Sequence, residues 1–147
     1  MIWKLTAAAW AALIFYLSTA GFGGSFTEWL LGQVFTFLHI SVSPVTFELV
    51  HHLMRKSAHM TEYAIFGMLL YGSSRHKRPF DWHPRRALIC VAIAAAYSLT
   101  DEFHQRFVPG RGPSLWDCGI DTIGATLGVL VFYLRQVWHE GESTIAD

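Results

Sequence analysis

Apolar runs close to the length of a bilayer crossing recur along this chain, and its ionisable residues gather between them or at their ends. A crossing helix takes about 20 residues, and a membrane solvent pushes charge to the ends of such segments or into partnered clusters. Ile2 to Ala20 is the first run, broken only by Lys4 and the hydroxyls of Thr6, Ser18 and Thr19. The second starts near Val45 to Val50 and continues to about Tyr71, the third covers Ala87 to about Phe103, and the fourth covers about Asp117 to Trp138. The expected fold is an all-α integral membrane protein, a bundle of four transmembrane helices.

The connection from Gly21 to Pro44 has no uninterrupted apolar span of that length. Its aromatic-rich stretch from Phe26 to Leu38 is amphipathic, with Gly, Ser and Pro breaking both ends. A short helix lying on the interface, or a re-entrant segment, is expected between the first and second spans. Lys4 and Ser18-Thr19-Ala20 also fit a secretory signal and its cleavage site, but an uncleaved first helix is the simpler account for a chain embedded throughout. Residues 1–138 are expected as a single transmembrane domain and 139–147 as a flexible polar tail.

Composition agrees. At 147 residues, 52% hydrophobic and 15% charged, the chain holds one domain and is too apolar for a soluble core of that size. The net charge of zero carries no basic excess, and with no recognition motif nucleic acid is excluded as a partner. Cys90 and Cys118 form neither a disulfide framework nor a metal spacing. The topology puts them near opposite faces of the bilayer, so two buried packing thiols are expected.

Lys and Arg set the orientation. The loop 72–86 contains Arg75, Lys77, Arg78, Arg85 and Arg86, whereas Ala20 to Glu48 contains neither type. The positive-inside rule puts that loop and both termini in the cytoplasm of a multi-pass cytoplasmic-membrane protein. The second helix then travels inward, with Arg55, Lys56, His59 and Glu62 in its outer half. The third delivers Asp101, Glu102 and His104 to the outer surface, and the fourth starts there with Asp117 and Asp121. Three segments bring their unusual charges to one depth, so a polar site facing outward is expected.

Helical spacing groups these residues. Arg55, His59 and Glu62 share a face, as do Asp101 with His104 and Gln105, and Asp117 with Asp121. Glu102 points about 100° from Asp101, toward a different contact. The stripe from Asp117 and Asp121 continues through Gly124 and Gly128, a small-residue seam expected to pack against the second or third helix. Pro109 to Pro113 makes a tight turn, which would hold Arg111 over the site.

Carboxylates and imidazoles at membrane depth are costly unless they are partnered, hydrated or used. Three uses fit these residue types. His59, Glu62, Asp101, Glu102 and His104 are candidates for acid/base catalysis. His59, Glu62, Asp101, His104, Asp117 and Asp121 are candidate ligands of a divalent metal ion. Arg55, Lys56, Gln105 and Arg111 are candidates for holding an anion, the arginines as bidentate partners. The plain alternative is a structural ion network pinning three helices.

The ordered set Lys56-x-x-His59-x-x-Glu62-Tyr63, Thr100-Asp101-Glu102-x-His104-Gln105-x-Phe107-x-Pro109-Gly110-Arg111 and Asp117-x-x-x-Asp121-x-x-Gly124 resembles the signature of the VanZ-like family. Phe15-Tyr16-Leu17-Ser18 is similar to that family's opening, and the likeness extends over roughly residues 5 to 135. It implies a small helical membrane protein of the cell envelope. The namesake of the family is associated with resistance to the glycopeptide teicoplanin, and no agreed reaction comes with membership. Membrane lipids, a lipid-linked envelope precursor or a glycopeptide-related ligand are the partners this implies, and a bundle this small leaves a homodimer sharing the site open.

Two function classes follow. One is an envelope enzyme, a metal-assisted or acid/base hydrolase or transferase acting on a lipid-linked or phosphate-bearing substrate. The other is a binding, transport or accessory protein whose charged cluster is a head-group site or ion-pair network. The chain lacks an HExxH zinc motif, a GxSxG nucleophile and a P-loop, which weighs against the enzyme.

Overall fold

The computed structural model describes residues 2–19, 24–74, 82–108 and 114–145, with the side chains of 136 and 139–145 left aside. Among these residues five helices follow in order: α1 (Ile2–Leu17), α2 (Gly24–Phe37), α3 (Pro44–Ser74), α4 (Pro84–Gln105) and α5 (Leu115–Ile145). Among the described residues there is no strand.

The helix ends follow from local sequence. Ser43 caps α3, its hydroxyl accepting from the Thr46 amide at 3.2 Å, and Pro44 at the first helical position needs no amide partner. α4 likewise starts on Pro84, after the His83 amide has donated to the Tyr71 hydroxyl at 2.8 Å. Ser114 caps α5 through the Asp117 amide. α2 stops where His39 turns left-handed (φ 56°), and the amides of His39 and Ile40 then bond back to the carbonyls of Thr36 and Phe35.

The core is a pair of long helices, α3 against α5, with α4 on α5 and α1 on α3. Glycine makes the central contact. A Cβ on Gly124 would fall on the Met60 carbonyl, one on Gly128 on the Ala64 carbonyl, and one on Gly67 on the Ala125 backbone. The expected Gly124–Gly128 seam therefore exists, and it faces the second of the expected spans. Ile14, Tyr63, Phe66, Ala94 and Ala125 fill one end of the core, and Tyr71, Ala87, Cys90, Val129 and Phe132 the other. Gly72 admits the Trp3 ring, tying the start of α1 to the end of α3. Both cysteines are free and buried.

Among the described residues two helices, not four, are long and apolar enough to cross a membrane: α4 and the stretch Leu115–Arg135 of α5. α1 is apolar but has 16 residues, about 24 Å of helix at 1.5 Å per residue. α3 has the length, but Glu48, Arg55, Lys56 and Glu62 leave it no sufficiently apolar stretch. The short helix expected between the first two spans is α2, whose Trp29 and Phe37 are exposed. Helical backbone continues to Ile145, through most of the segment expected as a flexible tail.

Candidate functional site

The end of the bundle where α4 finishes and α5 begins collects nearly every charged side chain singled out by the sequence. α3 contributes Lys56, whose ammonium pairs with the carboxylate of Asp117 on α5. One turn further along each helix, Nδ1 of His59 lies 3.7 Å from Oδ1 of Asp121. That is beyond hydrogen-bond length but within electrostatic reach. Ser98 on α4 donates to the other oxygen of Asp121 at 2.6 Å, and both residues are buried. Asp121 thus lies between α3 and α4, bonded to a hydroxyl of α4 and facing an imidazole of α3.

Asp101 makes the equivalent link to α1. Its Oδ2 accepts from the Ser18 hydroxyl at 2.7 Å and from the Gln105 side-chain amide at 3.0 Å, with all three residues buried. Glu102 does point elsewhere: it accepts from the Ser114 amide at 2.6 Å, so the last turn of α4 helps to start α5. His104 packs its ring on Phe15, centroids 4.5 Å apart. Asp101, one turn back on the same helix, instead bonds to Ser18 and Gln105.

Arg55, His59 and Glu62 share a face, as their spacing requires, and that face lines a cavity of about 250 Å³ between the Met54 to Glu62 stretch of α3, the first turns of α2 and the end of α1. Leu17, Phe26, Leu30 and Met54 make its apolar walls, and Ser18 and Thr27 add hydroxyls. Among the described residues no carboxylate is paired with Arg55. Its guanidinium reaches over α2, where a Cβ on Gly24 would lie 3.3 Å from Nη1. α2 is fixed in place by His51, a buried ring that meets the Thr27 hydroxyl at 2.8 Å, and by the edge-on contact of Phe35 with Phe47.

The sequence-derived groupings are therefore redistributed. Of the anion-holding candidates, Lys56 faces Asp117 and Gln105 faces Asp101, whereas Arg55 opens onto the cavity. Arg111 lies outside the described residues. Of the acid/base candidates, His59 and Glu62 reach the cavity, and Asp101, Glu102 and His104 are engaged elsewhere. The six candidate metal ligands are not gathered: among the described residues, no three His, Cys, Asp or Glu side chains come together as a set that could hold a metal ion. Asp117, Asp121 and Asp101 each turn to a Lys, His or Ser on a neighbouring helix instead.

Ser18, Thr27, His51 and Ser98 were not among the sequence candidates. Single hydroxyls in apolar runs carry little signal, and a histidine such as His51 outside the charged stretches carries no more. Only the phrase ending in Ser18 pointed to one of them.

The profile of the VanZ/LLP1 family matches residues 3–136, which takes in α1 to α4 and most of α5. The chain belongs to the VanZ/LLP1 family. Several of the residues that carry the resemblance tie the helices together at the polar end: Lys56 and His59 on α3 face Asp117 and Asp121 on α5, Glu102 on α4 meets the start of α5, and Asp101 on α4 meets the end of α1. No curated protein and no solved structure matches the chain.

Proposed function

We propose that this VanZ/LLP1 member is a multi-pass cell-envelope membrane protein whose cavity binds an amphiphile with an anionic head group, such as a lipid-linked phosphate, from the outer face. The observation that carries this is Arg55: a guanidinium without a carboxylate partner among the described residues, set in a cavity whose other walls are mostly apolar. A half-buried guanidinium with no carboxylate in contact is left to find another partner, and a phosphate oxygen pair matches its fork of donors. The apolar walls suit the part of a lipid next to its head group.

Depth supports the reading. Counting inward along α3, Arg55 stands about 29 Å of helix from Ser74, close to the ~30 Å of a hydrocarbon core. Arg55 and the Lys56–Asp117 pair then sit at one boundary of the core, with the end of α3 at Ser74 at the other. On this account α1 and α3 cross beside α4 and α5. The charges of α3 are tolerated because they face α5 and the cavity, and α2 lies on the outer interface. His59 and Glu62, at the inner end of the cavity, are the groups positioned to accept or deliver a proton to whatever binds there. A link to teicoplanin would follow from the handling of such an envelope lipid.

The test uses purified protein in mild detergent and short-chain dihexanoyl phosphatidic acid, with dihexanoyl phosphatidylcholine as the neutral-net-charge comparison. Arg55→Gln is expected to weaken phosphatidic acid binding at least tenfold and to leave phosphatidylcholine unchanged. Equal binding of phosphatidic acid by wild type and Arg55→Gln would reject the proposal. A second reading, that the cluster is purely a helix-pinning network, is favoured by the internal pairing of Lys56, Asp101, Glu102 and Asp117. It predicts that Arg55→Gln alters neither.

A further inference from the structure

The cavity at Arg55 has a neighbour at Glu62. A second hollow of about 410 Å³ shares Leu17, Ala58 and Glu62 with it and continues along the crevice between α1 and α3 as far as Ile65. Small side chains create this groove. Ser57, Ala58 and Thr61 leave one side of α3 low, and the hydroxyls of Ser57 and Thr61 turn back onto the carbonyls of Leu53 and Ser57 at 2.8 Å each. Their exposed surfaces are therefore largely methyl and methylene. Trp10 closes the far side, its indole N–H held by the Glu62 carbonyl at 2.9 Å. That bond restrains the ring at the wall of the crevice.

Resting on the head-group reading above, we infer that this groove is a lateral seat for one acyl chain of a leaflet lipid, which enters between α1 and α3 with its head group at Arg55. The length selects the occupant. Arg55 to Ile65 is about 15 Å of helix, half of the ~30 Å hydrocarbon core, so the groove runs from the head-group boundary to the mid-plane. An ordinary acyl chain fills that depth, whereas a long polyprenyl carrier would overrun it. The groove is also open along its side, as a chain sliding in from the bilayer requires. A soluble phosphate compound would use the Arg55 cavity and leave the groove unfilled. Hydrocarbon moving from bilayer to groove gains little from the hydrophobic effect, so the shape of the groove decides retention.

The test compares dioleoyl with dihexanoyl phosphatidic acid on detergent-purified protein, with bound lipid counted by native mass spectrometry. Ser57→Trp and Thr61→Trp each place a ring in the groove at an exposed position that does not line the Arg55 cavity. Each is expected to weaken dioleoyl binding at least tenfold and dihexanoyl binding less than twofold. Arg55→Gln is expected to weaken both. If both tryptophan variants keep dioleoyl affinity within twofold of wild type while Arg55→Gln loses it, the acyl seat is wrong and the head-group site stands. If Arg55→Gln loses neither lipid, the head-group reading fails and the acyl seat fails with it.

Discussion

Replacing Gly128 by alanine probes the contact on which the rest of the site depends. The added methyl falls on the Ala64 carbonyl of α3, a main-chain atom inside a helix that has no rotamer by which to withdraw. Relief requires α3 and α5 to move apart, and overpacking of this kind costs about 1–3 kcal/mol. The change also raises helix propensity by up to about 1 kcal/mol, which masks part of the loss. Gly119 on the same helix supplies the control, since a Cβ there meets nothing within 4 Å. Gly119→Ala receives the same propensity gain without the collision. The difference between the two variants then isolates the helix contact, and Gly128→Ala is expected to be about 1–3 kcal/mol less stable than Gly119→Ala. Reversible unfolding in mixed micelles, followed by circular dichroism, measures it. Equal stability of the two variants would refute the close α3–α5 approach.

The polar links yield three further expectations. In a double-mutant cycle on Lys56→Met and Asp117→Leu, each single change leaves a partly buried charge unpaired. The pair together is expected to recover about 0.5–3 kcal/mol of the summed losses, and strict additivity would show that the ion pair contributes nothing. Ser98→Ala removes the donor to the buried Asp121 carboxylate and is expected to destabilise by about 1.5–3 kcal/mol, a loss that unfolding titration detects. An unchanged midpoint would mean that the bond is of no consequence. Cys90 and Cys118, both buried, are expected to react with a soluble maleimide only after unfolding, and rapid labelling of the folded protein would place them at the surface.

What the sequence disclosed was what a single helix can disclose. The face shared by Arg55, His59 and Glu62 follows from 3.6-residue periodicity, as does the seam through Gly124 and Gly128, and both are present. The separate direction of Glu102 followed from the same geometry and leads to Ser114. Partner choice between helices was not legible. Asp101 could have met any cation at its depth, yet it takes a hydroxyl 83 positions away at Ser18, and Lys56 goes to Asp117 rather than to a ligand. A metal cluster looked feasible because six donors share a depth. Depth does not fix azimuth around the bundle, and the helix rotations that bury the glycine seam send the donors to separate neighbours. Among the described residues apolar length marks two crossings for a related reason: α3 is long, but its charged stripe removes the apolar stretch that would mark it as one.

The central claim is that the cavity beside Arg55 holds the head-group end of a lipid, and photo-crosslinking tests it most directly. Protein in native-membrane nanodiscs doped with phosphatidic acid carrying a diazirine near the head group would be irradiated, digested and mapped by mass spectrometry. The account predicts adducts on the cavity-lining segments around Phe26 to Leu30 and Met54 to Glu62, lost on Arg55→Gln. Adducts confined to the exposed apolar face of α5, around Leu115, Trp116 and Ile123, and indifferent to Arg55 would contradict it.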